Sequence, residues 1–559
     1  MLFGLNPFAS IGFASSTIDE SVASTAVDLV ADQEAARSFL FHATPYDTST
    51  ASETDVRASI GLAHPIVDDE HWPAYLKNAC DSNVDLFGDD ESAQGRTSFG
   101  NLELLIGDGA HDDLAAYAWD GRDVDVKLGA EGFAIDEYIT VLKGTAEGIT
   151  YDRRRLGIVF RGKETLLDKD IQETTYTGVG GLEGDATLEG NEKPLVYGAV
   201  TNITPIQVDS TNLVYQFHDG SAESAVAFDG GLALDSAGDV ADITAASVEP
   251  GYYKTQLDSG YIKLGAPPSK LLTLDVQGDN SGDGYVSNAA HIIKRIVIDR
   301  SDLTASDLNL PSFYTAHLDS SRSVSGVYIT GGTIASVVKD LMHSIGGAWT
   351  FNRVGLLTIA VLRKRFSSGT ITEDDIVEDD IVKGSFKRVR TVPPSWRRRI
   401  GSTKSWTVHN ESQFVGAATS ARRTLTSREY QYSTNETASI KERHLGARVV
   451  VKDTLLSTSA DADTENARQQ ALYGATFDRI DITTRRQQFR YQIGQTITLD
   501  YDRFGIDADM IILGIRENTT SGRTTFRLLM TDNEFTELFE TASSATLVET
   551  LSGESLDLG

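Results

Sequence analysis

Ten histidines stand at 42, 64, 71, 111, 218, 291, 317, 343, 409 and 444. No two are four residues apart, the spacing that puts two imidazoles on one helical face, so a zincin-type site is excluded. Cys80 is the only cysteine, and an intrachain disulfide, a Cys₄ zinc site or a four-cysteine iron–sulfur cluster cannot be built from it. No Gly-x-Ser-x-Gly elbow marks a nucleophilic serine. Gly157 to Lys163 matches G-x-x-x-x-G-K, but Ile158-Val159-Phe160 is strand-like and Glu164 would repel a phosphate, so the match reads as a strand ending in a glycine turn. Gly178 to Gly184 lacks dinucleotide spacing and reads as a loop. Asp279, Ser281, Asp283 and Gly284 imitate the start of a calcium loop, yet the twelfth position is Ala290, where a bidentate carboxylate would be needed. The expectation is a chain with no catalytic, cofactor or metal site.

The elements around these residues are mostly strands. Asp123 to Leu128 alternates polar and apolar, putting Val124, Val126 and Leu128 on one buried face. Similar runs at Phe99 to Ile106, Tyr138 to Leu142 and Leu156 to Phe160 predict a small β barrel or sandwich over 96–165. Three segments have helical period: Ala289 to Ile296 behind a Ser287 cap, Ile334 to Ile345 behind Thr333 and stopped by Gly346-Gly347, and Ala460 to Tyr473 with a thin apolar stripe. Trp349 to Phe351 and Leu356 to Val361 predict a hairpin, making 285–365 an α+β unit. Strands resume at Thr496 to Leu499, Met510 to Ile515 and Thr524 to Met530, the last two joined by a turn at Ser521-Gly522.

With 559 residues, 40% apolar, the chain is long enough for several cores. The expected class is β-rich and multidomain, mainly β with an α+β middle, built from small β barrels or sandwiches. The expected divisions are an N-terminal segment 1–95 of unassigned role, a β barrel or sandwich 96–195, a β-rich domain 196–284, an α+β domain 285–425, a C-terminal β domain with one helix 426–540, and a mobile or docking tail 541–559. The first eight residues carry no Lys or Arg ahead of their apolar positions, as a secretory signal would need, and the longest apolar stretches fall far short of a membrane span. A soluble chain kept in a cytosol or an assembled particle is expected.

Charge is the strongest anomaly. The chain has 50 Lys+Arg against 81 Asp+Glu, a net charge of −31, which disfavours wrapping DNA as a sequence reader. Yet Glu373, Asp374, Asp375, Glu378, Asp379 and Asp380 form an acidic knot, followed without an intervening acid by Lys383, Lys387, Arg388, Arg390, Arg397, Arg398, Arg399 and Lys404. Phe386, Trp396 and Trp406 lie among the cations and could stack bases. An acidic protein that assembles with copies of itself needs a basic face to meet an acidic one, and this reading as a subunit-contact patch is favoured over nucleic acid.

Several stretches resemble tail proteins of long-tailed, siphovirus-like bacteriophages, the tail-tip proteins related to baseplate hubs. They are Asp120 to Gly129, Lys193 to Gly198, Val214 to Gly220, Gly346 to Phe351, and Val392 to Arg397 leading to Trp406. They span about 96–530 in one order, and none contains a catalytic residue. Some related hubs carry a cysteine-ligated iron–sulfur cluster, which Cys80 alone cannot supply.

The resemblance implies a structural hub ring, a homotrimer at the distal end of the tail in the virion, assembled in the bacterial cytoplasm. It would close the tail tube and connect it to tip or fibre proteins. The implied partners are copies of the chain, the distal tail protein, the tape measure, tip and fibre proteins, a host surface receptor, and genomic DNA passing without specific binding. A receptor- or glycan-binding adsorption protein and a cell-wall hydrolase are the competing readings. Clustered exposure of Trp72, Trp119 and Tyr252-Tyr253 would favour the glycan binder.

Overall fold

The alternation at Asp123–Gly129 is realised as a strand whose Val124, Val126 and Leu128 have no solvent exposure. Each buried side chain of this kind contributes roughly 1.5–3 kcal/mol. The structure, a computed structural model, describes residues 37–79, 81–86, 93–109, 111–320, 324–362, 376, 380–474, 477–489, 491–501, 506–519 and 521–530. Cys80, five members of the acidic knot (Glu373, Asp374, Asp375, Glu378 and Asp379) and segment 541–559 lie outside them. The protein is β-rich and multidomain.

The first seven-stranded antiparallel sheet runs in the order Val56–Ile60, Ser38–Ala43, Asp123–Gly129, Ile139–Tyr151, Arg155–Arg161, Asn101–Leu105, Leu76–Asn78. The boundary expected at 95/96 therefore falls inside one sheet. Strand pairing is set by contacts between distant residues, which a pass along the chain cannot see. Phe41, Leu102, Leu104, Val126 and Ile158 form its core.

The second large sheet has the order Lys387–Val392, Phe477–Thr483, Arg523–Met530, Ile506–Asn518, Ser82–Asp85, Arg96–Phe99, with Thr496–Tyr501 also paired to Ile506–Asn518. Two of its strands come from the N-terminal part of the chain. The run expected at Phe99 to Ile106 is split at Gly100, whose N–H donates to the Asp81 carbonyl at 2.8 Å. A Cβ on Gly100 would stand 3.2 Å from that of Asp81. Strand Arg96–Phe99 belongs to the second sheet and Asn101–Leu105 to the first, so the paired strands Ser82–Asp85 and Arg96–Phe99 form an arm reaching from one sheet into the other. The Asp81 carboxylate anchors the arm, accepting from Asn518 Nδ2 at 3.0 Å and from the Thr519 N–H at 2.8 Å.

Between these sheets in sequence lie two five-stranded sheets that share the core of Val196, Phe217, Ile262 and Leu274, with strand Leu195–Ile203 crossing the boundary expected at 195/196. Among the described residues the α-helices are α1 (Ala289–Arg300), α2 (Leu310–Asp319), α3 (Ile334–Ser344), α4 (Ser420–Thr426), α5 (Ala438–Arg443) and α6 (Ser459–Tyr473). Asn288, not Ser287, caps α1, accepting from the Ala290 N–H, while Thr333 caps α3. Helices α2, α4 and α5 fall outside the three segments with helical period. The expected hairpin forms from Gly347–Phe351 and Leu357–Val361, with Gly355 at φ +72° in its turn. Helices α1 to α3 and this hairpin share one apolar core.

A three-stranded sheet, Gln431–Glu436, Ser395–Ser402, Arg448–Asp453, packs against α6. The thin apolar stripe of α6 has a cause: the face it buries includes Asp461, Glu465, Asn466, Gln469 and Gln470.

Candidate interaction surface

The basic run divides between two sheets. Lys387–Val392 is the edge strand of the second large sheet. Lys383, Lys387 and Arg388 are exposed, and Arg388 Nη2 pairs with Asp478 Oδ2 at 2.5 Å across to the next strand. Arg390 lies in the same strand. Of the acidic knot, Asp380 is described; its carbonyl accepts from the Arg485 N–H at 2.8 Å.

Arg397, Arg398 and Arg399 alternate across the central strand of the three-stranded sheet. Arg398 points inward and is 1% exposed, donating to Gln469 Oε1 at 2.7 Å with its guanidinium 4.3 Å from the Tyr473 ring centroid. This arginine serves the interior. Arg397 and Arg399 face outward: Arg397 Nε lies 3.2 Å from Glu436 Oε2, and Arg399 sits 4.5 Å over Tyr432. Lys404 rests 4.2 Å over Trp406 and 3.8 Å from Glu429. The aromatic neighbours are engaged within the chain: Phe386 stacks on Tyr501 at 5.1 Å, Trp396 lies under Lys441, and Trp406 meets Tyr328 edge-on.

Net charge makes this region distinctive. Residues 383–453 hold 15 Lys+Arg and 5 Asp+Glu, a balance of +10 inside a chain of −31. Such a patch attracts acidic surface over roughly a Debye length.

The near-miss motifs resolve into structure. Gly157 to Arg161 is strand, and Lys163 Nζ pairs with Asp307 at 2.7 Å. Asp279 is held by Arg295 Nη1 at 2.7 Å, which occupies an oxygen that a calcium loop would need. Among the described residues no group of three or more His, Cys, Asp or Glu is placed to hold a metal ion, and no helix is long and apolar enough to cross a membrane. Trp72, Trp119 and Tyr253 are buried, leaving Tyr252 as the exposed member of that set.

Sequence reading missed the joint between the large sheets. Glu517, fully enclosed, accepts from Thr524 Oγ1 at 2.5 Å. Burial pushes its carboxyl up to about 7, against the opposing pull of Arg353, the Thr524 hydrogen bond and Arg37. Arg353, in the turn of the middle hairpin, donates to the carbonyls of Tyr491, at 3.2 Å, and Phe489. A cavity of about 160 Å³ beside it is lined by Ser82, Thr140, Asn352, Gln492 and Ile515, residues from the first sheet, the arm, the hairpin and the second sheet. A signal existed, since the period-two phase of Leu513 and Ile515 places Glu517 on the buried side.

No protein-family model matches the chain, and no curated protein does. Solved structures similar to it include the 43 kDa tail protein of prophage MuSo2 from Shewanella oneidensis, 11% identical over 88% of this chain and 98% of that one, with a TM-score of 0.33. A tail protein from Neisseria meningitidis MC58 is 9% identical over 89% and 98%, with a TM-score of 0.33. A chain from the virion of a native gene transfer agent particle is 12% identical over 62% and 86%, with a TM-score of 0.38.

Proposed function

We propose that the chain is a structural, non-catalytic component of a bacteriophage tail tip, forming a hub ring that closes the distal end of the tail tube around the DNA path. The observation that carries this reading is the pair of seven-stranded sheets in one chain, tied together by the arm strands Ser82–Asp85 and Arg96–Phe99. Two such units per chain allow three chains to present six sheet modules to a six-subunit ring above them. A heterologous ring closes only when each subunit offers two complementary faces. The basic edge at Lys383–Val392 supplies one of them, and acidic surface, abundant at a net −31, supplies the other. The lumen in this reading is acidic, so DNA is repelled along its path.

Assembly tests the proposal. Lys383→Ser with Lys387→Ser leaves the fold intact, lowers the yield of assembled tails, and makes assembly more salt-sensitive. Normal assembly with failed DNA delivery would transfer the patch to nucleic-acid contact, and carboxylate-dependent release of muropeptides by the purified chain would defeat the non-catalytic claim.

A further inference from the structure

The outward face of the three-stranded sheet exposes apolar side chains beside cations. Its register aligns Glu436, Arg397 and Val449 in one row and Thr434, Arg399 and Val451 in the next. Val449 and Val451 are 52% and 53% exposed, Tyr432 is 41% exposed, and Leu445 in the preceding loop is 96% exposed. The column of valines stands beside the column of arginines. An exposed apolar cluster of this kind marks a contact surface.

A segment of matching chemistry begins nearby in the chain. Residues 531–559 contain seven acidic residues and no Lys, Arg or His, and they interleave those acids with Phe535, Leu538, Phe539, Leu547 and Val548 among other apolar positions. The described chain reaches this segment at Met530, which pairs with Asp478, while the neighbouring Phe477 pairs with Val392. Met530 is therefore about 10 Å from Val392, two strand spacings away. Pro393 and Pro394 then lead directly into Ser395–Ser402, and the Arg448 N–H donates to the Pro394 carbonyl at 3.0 Å. Twenty-nine residues can span up to about 95 Å, far more than the distance required. The root of an acidic, apolar-studded segment thus lies beside the near end of a basic, apolar-studded face.

We infer that residues 531–559 dock in cis on the outward face formed by Tyr432, Arg397, Arg399, Val449 and Val451. Carboxylates of the segment would pair with the two arginines while its apolar side chains cover the valines. The +10 balance of 383–453 makes the local potential favourable for it. The inference concerns the isolated chain and stands or falls separately from the tail-hub reading, since no assembly step enters it.

The test uses the full chain with Cys80→Ser and spin labels on cysteines introduced by Val451→Cys and Thr536→Cys. Pulsed electron-spin distance measurement is expected to give a narrow short-distance population, lost when salt rises from about 0.05 M to about 0.5 M. Arg397→Ser with Arg399→Ser should abolish it. Reversing charge in the segment by Glu534→Lys, Glu537→Lys and Glu540→Lys should abolish it equally while leaving the described fold untouched. A broad, salt-independent distribution overturns the inference. So does a short distance that disappears on dilution with unlabelled chain, which would assign the face to a second copy.

Discussion

The two seven-stranded sheets have the same strand number but opposite ways of being held. The first is made from residues 38–161 and keeps charge outside, in pairs such as Lys77 with Glu103 and Arg161 with Glu147. Its core is carried by residues such as Phe41, Leu102, Val126 and Ile158. The second collects strands from 82–99, 387–392 and 477–530, and it buries Asp478, Arg479, Gln487, Gln488, Glu517 and Thr524. Apolar burial is non-directional and tolerates sliding, whereas a buried carboxylate or guanidinium accepts few geometries. We read the polar groups of the second sheet as fixing how distant stretches of chain meet.

The largest expected effect breaks that joint. Arg353→Met removes donors to the Phe489 and Tyr491 carbonyls and takes away a charge facing Glu517. Such a loss costs about 3–5 kcal/mol. Urea denaturation of the full chain measures it, and a cost below about 1 kcal/mol would mean that the buried charges are incidental to the sheet's stability.

Acidity sharpens the contrast. Glu517 titrates near 7 in the fold against 4.5 as an ordinary carboxyl, so the folded chain holds its proton more tightly. Its contribution is greatest below the ordinary value and is lost as pH rises through 7, a change of about 3 kcal/mol. Glu517→Gln should flatten the decline between pH 5 and 8. A wild-type and variant with parallel pH profiles would remove Glu517 from the account.

A smaller loss separates the two kinds of arginine in the basic run. Arg398→Ser deletes the bond to Gln469 and the stacking on Tyr473, costing about 2 kcal/mol. Arg399→Ser, on the outward face, should change stability by no more than about 0.5 kcal/mol. Equal effects at 398 and 399 would contradict the inward and outward assignment.

Much of the fold was legible wherever one element satisfied its own pattern. The alternation at Asp123–Gly129, the Thr333 cap and the hairpin around Gly355 all follow from residues adjacent in sequence. What could not be read was pairing across long separations, above all the arm that sends Ser82–Asp85 to Ile506–Asn518. Charge segregation at 373–404 was plain, but the alternation Arg397, Arg398, Arg399 gives no hint that the middle cation turns to α6, because α6 buries polar residues and has almost no apolar period to reveal the packing.

Electron cryomicroscopy of intact tails tests the central claim most directly. Three copies of this chain are expected around the tail axis at the distal end, their paired sheets continuous with the tube and their inner surface acidic. Six copies, or density confined to a peripheral fibre away from the axis, would contradict it.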